Sequence, residues 1–393
     1  LIWDDVGIMK KKIVILGSTG SIGRNAVNVV KHLAREFDVV GLAAHGNIEV
    51  LARQARELNC GRVGLADISR IGELRKLLPA NCKIHGGQNG VLEIATLSEA
   101  DLVLCAIVGT GGLVPVLGAV KAGKDIAIAS KEVLVMAGEL VMREVAKRKV
   151  KFLPVDSEHS AIFQCLEGKR KVDVSKIILT ASGGPFRGRK ICEIRGATYE
   201  SALAHPIWEM GPKVTIDSAT MMNKALEIIE ARWLFDVPAG KIDVVIHPQS
   251  VIHSMVEFID GTVLAQMSTP DMRFPIQYAL THPVKHAGLL KSLDFTKLEG
   301  LTFERPDRKN FPSLGFAYEA LKSGGTLPAV MNAANEIAVE RFRKAEIRFT
   351  DIWSIIEKVM SSHGKLDRPS LDAILSADKW ARAEAASVKI RKR

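Results

Sequence analysis

Gly17-Ser18-Thr19-Gly20-Ser21-Ile22-Gly23 decides the fold of this chain. The five residues before it, Lys12–Leu16, form a short β-branched run, which reads as a buried strand. After it, Ile22, Ala26, Val29, Val30 and Leu33 recur at spacings of three and four, which predicts a helix. A glycine turn between a strand and a helix lets the backbone approach a pyrophosphate. The helix N-terminus then offers unpaired N–H groups and the positive end of its dipole. The spacing is GxxGxxG, not GxGxxG, so its place at the first βα turn carries the reading. Gly17, Thr19, Gly20, Ser21, Ile22 and Gly23 are therefore candidate dinucleotide contacts.

Outward from this loop the chain alternates. Val39–Ala43, Asp101–Val108 and Lys124–Ala129 read as further strands. Leu113, Val116, Leu117 and Val120 mark a helix between the last two. Buried strands alternating with helices predict a parallel, doubly wound, Rossmann-like α/β domain. Lys149–Val155 is a strand leading out of it. From 156 to 281 the pattern is mixed, with strands at Lys176–Thr180, Lys241–Ile246, Val251–Glu257 and Thr262–Met267 and a strong helix at Thr220–Leu234. This is a second α/β domain with its own sheet. Residues 282–311 hold prolines and charges with little periodicity and read as a linker. From 312 to 393 every periodic segment is helical, which predicts a C-terminal bundle. The dinucleotide-binding domain is then 9–155. The chain starts at Leu1, and Met9 reads as a natural start with 1–8 an extension.

With 393 residues, 47% of them hydrophobic and 25% charged, the chain is of globular composition. Five scattered cysteines without a CxxC argue against a zinc ribbon or disulfide framework and fit the cytoplasm. The net charge of +10 fits anionic small molecules. Its basic runs lack interleaved aromatics, so nucleic acid is not expected as a partner. The uncharged stretch Leu102–Val120 is broken by Gly109, Gly111, Gly112 and Pro115, so no membrane span is expected. The second strand ends Ala43-Ala44-His45-Gly46-Asn47. No carboxylate stands there to repel a 2′-phosphate, which favours NADP over NAD.

Three segments carry further chemistry. Asp156 and Glu158 follow a strand end and project to one side of extended backbone. Converging carboxylates share a proton or a cation, and oxygen donors suit Mg²⁺ or Mn²⁺. The alternative is a solvated helix start with Asp156 as cap. In Ile216–Glu227, Ser218 or Thr220 can cap a helix, while Asn223 and Glu227 lie four apart on one face with Lys224 adjacent. This array suits an anion near the helix start and a metal one turn on, or simply a polar helix face. Thr180–Pro185 is a strand-to-glycine turn suited to phosphate oxygens. His205–Pro212 is a packed surface loop or a lid carrying Trp208 and Met210. His247, His253 and Cys165 read as structural.

Taken together, GSTGSIG (17–23), SKE (130–132), PVDSEHSAIFQ (154–164), TASGGPFR (180–187), HPIWEMG (205–211), VTIDSATMMNKALEIIEARWLF (214–235), IHPQSVIHSMV (246–256), PDMRFPI (270–276) and MNAANEIAV (331–339) resemble the 1-deoxy-D-xylulose 5-phosphate reductoisomerase family. The resemblance implies an NADPH domain, a catalytic domain and a C-terminal helical domain in a homodimer. It implies rearrangement of a keto-sugar phosphate and reduction by NADPH to 2-C-methyl-D-erythritol 4-phosphate, within non-mevalonate isoprenoid synthesis. By position it assigns Asp156, Glu158 and Glu227 as metal ligands, and Ser182, Ser218, Asn223 and Lys224 as phosphate contacts. It assigns Lys131, Ser157 and His205 to the substrate, with Trp208 covering it. Thr19 to Ile22, Asn47, Glu132 and Gly211 fall to NADPH. Two departures stand out. Ser130 replaces the Asn of many members, next to the nicotinamide. Gly46 stands where some members place a lysine near the 2′-phosphate. The rival readings are a semialdehyde dehydrogenase, which needs a reactive cysteine, and a non-catalytic NADP- or nucleic-acid-binding module.

Overall fold

The computed structural model describes residues 10–364 and 366–390. The extension 1–8 and Met9 lie outside the described residues. The chain forms two compact units. The first holds residues up to 130 with 143–160 and 272–291; the second holds 131–142, 161–271 and 292 onward.

The first unit is built on seven strands: β1 (Lys11–Leu16), β2 (Phe37–Ala44), β3 (Arg62–Leu65), β4 (Lys83–Gly86), β5 (Leu102–Cys105), β6 (Asp125–Ile128) and β7 (Phe152–Pro154). Their order is β4-β3-β2-β1-β5-β6-β7, and every pairing is parallel. The order reverses between β1 and β5, so the loop after β1 lies where open α/β sheets bind ligands. Ile13 to Leu16 are wholly buried, as a central parallel strand requires. Two short strands, β3 and β4, go beyond the sequence reading. Each has four residues and interrupts its apolar run, β3 with Gly64 and β4 with His85.

The second unit carries four strands: β8 (Val174–Ala181), β9 (Ile242–Ile246), β10 (Ile252–Phe258) and β11 (Val263–Met267). Their order is β11-β10-β8-β9. Helix Met222–Leu234 and the helices beyond Pro312 complete one continuous apolar core, in which Phe349 packs edge-on against Phe186, Phe342 and Trp353. The helix expected over Thr220–Leu234 is present as Met222–Leu234, and a separate helix, Pro212–Ala219, precedes it. Met221 separates them in the left-handed conformation, at φ 63°. Among the described residues no helix is long and apolar enough to cross a membrane.

Candidate functional site

In the first unit, Gly17 turns at φ 78°, and a side chain there would strike the Ala106 carbonyl. Gly17 and Ser18 both donate N–H to Ala43 O, at 2.8 and 2.9 Å, tying the loop to β2. A Cβ on Gly23 would lie 2.2 Å from Gly17 O, so only glycine lets the loop close on its helix. Helix Ser21–His32 has Gly20 as its cap, with no side chain bonded to its first N–H groups. Those groups remain available to an anion. Asn47 caps the next helix, Ile48–Glu57, by accepting from Val50 N at 3.2 Å. Gln54 of that helix donates to Ser18 O at 2.9 Å, fastening it to the glycine loop. Ser130 is buried, and its hydroxyl donates to Ile107 O at 2.5 Å. The hydroxyl therefore anchors the strand end.

Asp156 follows β7, and of the two readings of this segment the structure has the helix start. Helix Ser157–Leu166 begins at the next residue. Asp156 accepts from Glu158 N at 3.1 Å, and its main-chain carbonyl accepts from Ser160 N at 2.8 Å. The capping carboxylate folds the segment into a first turn. Both carboxylates thus belong to one helix start, where the dipole favours negative charge. Ser157 Oγ bonds the Glu158 carboxylate, and buried His159 places Nδ1 3.2 Å from Asp156.

In the second unit, Glu227 gathers three partners. Its side chain is 1% exposed. Lys131 Nζ donates to Glu227 at 3.1 Å and to Asn223 Oδ1 at 2.9 Å. Asn223 Nδ2 donates to Glu227 at 2.5 Å, and Lys224 bonds its other oxygen. Asn223, Lys224 and Glu227 share a helical face because they lie three and four residues apart. A buried carboxylate needs such counter-charge.

The turn after β8 stands beside the same helices. Gly184, at φ 68°, lies so close to Ser218 that an added Cβ would sit 2.8 Å from Ser218 O. Ser218 lies within helix Pro212–Ala219 and so does not cap the next one. Thr220 Oγ1 accepts from Met222 N at 3.3 Å. Ser182 Oγ is 2.9 Å from His205 Nε2 and accepts from Gly184 N at 3.2 Å. His205 Nδ1 accepts N–H from Ile207 and Trp208, at 3.2 and 2.9 Å. Nδ1 is thus unprotonated, and Nε2 carries the proton donated to Ser182. Burial lowers the His205 pKa, favouring this neutral form. Residues 205–211 lack regular structure, and Trp208 packs near the His253 ring. Gly211 caps the helix that follows.

Glu132 has a partner the sequence reading missed. Lys213 Nζ lies 3.3 Å from Glu132 and 2.7 Å from Asp217, which also accepts from Asn335 Nδ2 at 2.9 Å. Burial opposes ionisation of Glu132, but Lys213 and the local N–H groups outweigh it and lower its pKa. Burial likewise opposes the Lys213 charge, and Asp217 and Glu132 reverse that effect. The i,i+4 spacing of Lys213 and Asp217 was a sequence signal for this pair, and nothing in the sequence joined it to Glu132. Cys165 is buried, and burial pushes its thiol up to about 11. That suits no nucleophile, which disfavours the dehydrogenase reading. His247 is fully buried and accepts N–H from Val251 and Ile252 at Nε2, a structural role.

Comparison with known proteins agrees along the chain. Residues 13–138 match the model of 1-deoxy-D-xylulose 5-phosphate reductoisomerase, and 152–235 that of its C-terminal domain. Residues 267–384 match the DXP reductoisomerase C-terminal domain. The 1-deoxy-D-xylulose 5-phosphate reductoisomerase of Symbiobacterium thermophilum is 53% identical, covering 98% of this chain and 100% of its own. That of Thermoanaerobacter pseudethanolicus is 51% identical, covering 96% and 98%. The Zymomonas mobilis enzyme in complex with NADPH superposes with a TM-score of 0.91 at 43% identity, over 96% of this chain and 99% of that one. A DOX-P reductoisomerase in complex with NADPH, fosmidomycin and magnesium gives 0.92 at 37% identity, over 96% and 98%. The chain belongs to the 1-deoxy-D-xylulose 5-phosphate reductoisomerase family.

Proposed function

We propose that Asp156, Glu158 and Glu227 hold the divalent cation of this enzyme, and that Ser182, Ser218, Asn223 and Lys224 hold the substrate phosphate. The chain converts 1-deoxy-D-xylulose 5-phosphate to 2-C-methyl-D-erythritol 4-phosphate with NADPH and a divalent metal. The donor set fits Mg²⁺, or Mn²⁺, because it consists of carboxylate oxygens alone. Buried Glu227 draws in ammonium groups, as an anion built for cationic company does. The uncapped helix start at Gly20 fits the NADPH pyrophosphate, with Thr19, Ser21 and Ile22 against it. Asn47, Glu132 and Gly211 complete the cofactor contacts. When bound, the cation supplies Lewis acidity to the substrate oxygens and NADPH supplies the hydride.

The remaining work falls to the side chains. Lys131 is held by two acceptors and is 12% exposed, so its ammonium is fixed where negative charge develops on oxygen. Ser182 Oγ already accepts from His205 and Gly184, which leaves its own proton for a phosphate oxygen. Neutral His205 ties the start of the 205–212 loop through two backbone N–H groups, so the loop closes over substrate from a fixed end. Trp208 then excludes water, and Ser157 contacts the sugar. In this reading residues 9–155 serve NADPH, 156–281 the chemistry, 282–311 the link and 312–393 the helical support. The working form is a cytoplasmic homodimer.

The convergence of Lys131, Asn223 and Lys224 on Glu227 carries this reading. NADPH oxidation by the purified chain tests it, with the keto-sugar phosphate and Mg²⁺ or Mn²⁺. Turnover should stop with a chelator and return with added metal. Turnover insensitive to the chelator would overturn the metal assignment.

A further inference from the structure

Gly46 leaves the turn after β2 without a cation of its own, and the structure supplies one from a distant segment. Strands β2 and β3 run parallel with Ala44 opposite Leu65. The pairing continues past both strands, since Ala66 N donates to Ala44 O at 3.0 Å and Asp67 N to His45 O at 2.8 Å. The residues that follow the two strands therefore emerge side by side. A 3₁₀ turn, Ile68–Arg70, then reverses the chain, with Asp67 as its cap. It returns Arg70 to the His45-Gly46-Asn47 turn, where Nη1 donates to Gly46 O at 2.6 Å.

We propose that Arg70 is the residue that reads the 2′-phosphate of NADPH in this protein, in place of a cation in the turn itself. The proposal rests on the NADPH reading above. The end of β2 is where a dinucleotide fold places the adenosine ribose. A guanidinium pinned to the backbone of that turn is a charged fork already in position. Arg70 also contacts Glu49 and Glu73, both at 3.1 Å through Nη2. These carboxylates are 66% and 62% exposed, and pairs of that kind contribute little in water. A phosphate bears more charge and three acceptor oxygens, so it displaces a solvated carboxylate from the fork. Until then the glutamates keep the guanidinium ordered. A Cβ on Gly46 would meet Asp67 Oδ2 at 3.6 Å, an ordinary contact, so a carboxylate engaged by Ser69 stands beside the turn and Arg70 offsets its charge. Sequence inspection misses Arg70 because it lies 24 residues beyond the turn it serves.

The test is equilibrium binding without turnover. NADPH and NADH are titrated by nicotinamide fluorescence against the wild-type chain, Arg70→Gln, Glu49→Gln and the double variant Arg70→Gln/Gly46→Lys. Arg70→Gln should weaken NADPH by roughly 10- to 100-fold, the loss of one charged hydrogen-bonding partner, and leave NADH unchanged. Unchanged NADH affinity also reports an intact fold. Glu49→Gln keeps Arg70 and removes a competitor, so it should tighten NADPH alone. The double variant should recover NADPH. Wild-type NADPH affinity in Arg70→Gln, or equal loss of both cofactors, overturns the proposal, as does a Glu49→Gln chain that binds NADPH no tighter. A wild-type chain that binds NADH as tightly as NADPH overturns the cofactor reading instead.

Discussion

Glu227 and His205 show how much of this site depends on single protonation states. Glu227→Gln keeps the shape of the side chain and removes its charge, leaving Lys131 and Lys224 without that partner. Breaking a buried ion pair from one side costs about 3–5 kcal/mol, so the variant should melt earlier than the wild type. It should also lose the rise in melting temperature that Mg²⁺ gives, while NADPH still binds to the glycine loop. A full Mg²⁺ increment in Glu227→Gln would remove Glu227 from the metal site. His205 has a folded pKa below its ordinary value of about 6.5. The unfolded chain therefore takes up the proton first as pH falls. The stability from neutral His205 is present above pH ~6.5 and is lost as pH falls through the lower folded value. Protonation places a second donor at Nδ1, against the N–H groups of Ile207 and Trp208, and frees the loop. An NMR titration of the His205 ring should give a midpoint below 6.5, with loop proteolysis rising in the same window. A midpoint above 6.5 would refute this. Asp156 with Glu158, and Asn223 with Lys224 and Glu227, stood out because each group lies within one short segment, and the family resemblance alone joined the groups into one site. The Lys213–Glu132 pair did not, since its members lie 81 residues apart. Only tertiary packing joins them.

Elements were legible where burial left a periodic trace. Ile13–Leu16 and the helix after it met the expected pattern, and the parallel sheet followed from the alternation, while the strand order did not. The start of helix Met222–Leu234 was legible to within two residues, while the helix Pro212–Ala219 before it was not. Asp156 left two readings open because two carboxylates at i and i+2 look alike in a strand and at a helix start, and the structure has the helix start. Gly184 shows an element-scale dependence that can be measured. It joins the β8 turn to helix Pro212–Ala219 by a close approach that a Cβ would obstruct. Gly184→Ala must both shift the Ser218 backbone and hold a positive φ, at a cost of about 1–3 kcal/mol. Its urea midpoint should fall and its KM for the sugar phosphate should rise. Gly240→Ala, which meets nothing within 4 Å, is the control and should change little. Equal behaviour of the two variants would show that the Gly184–Ser218 approach is not constrained.

At the scale of the molecule, a net charge of +10 draws anionic ligands, and two kinds of anion-binding group are separated along the sequence. The proposed phosphate set and Glu227 overlap on one helix: Asn223 and Lys224 stand one turn before Glu227, where a turn rises about 5.4 Å, and both bond its carboxylate until ligands part them. A short carbon chain spans that rise. A molecule joining a phosphonate to a hydroxamate through roughly three carbons should therefore engage both groups together, by the same geometry. Its hydroxamate offers two oxygens to a hard cation, as a hydroxy ketone does. Linking the ends avoids paying twice for lost translational freedom. Inhibition should be competitive with the sugar phosphate, should require the divalent metal, and should weaken sharply when either end is removed. Ser182→Ala should weaken the intact molecule and its phosphonate half alike, because the proposed role of that serine is at the phosphate end. A phosphonate lacking the hydroxamate that inhibits as strongly as the whole molecule would show that the metal end contributes nothing. The assignment of the cation to Asp156, Glu158 and Glu227 would then lose its chemical purpose.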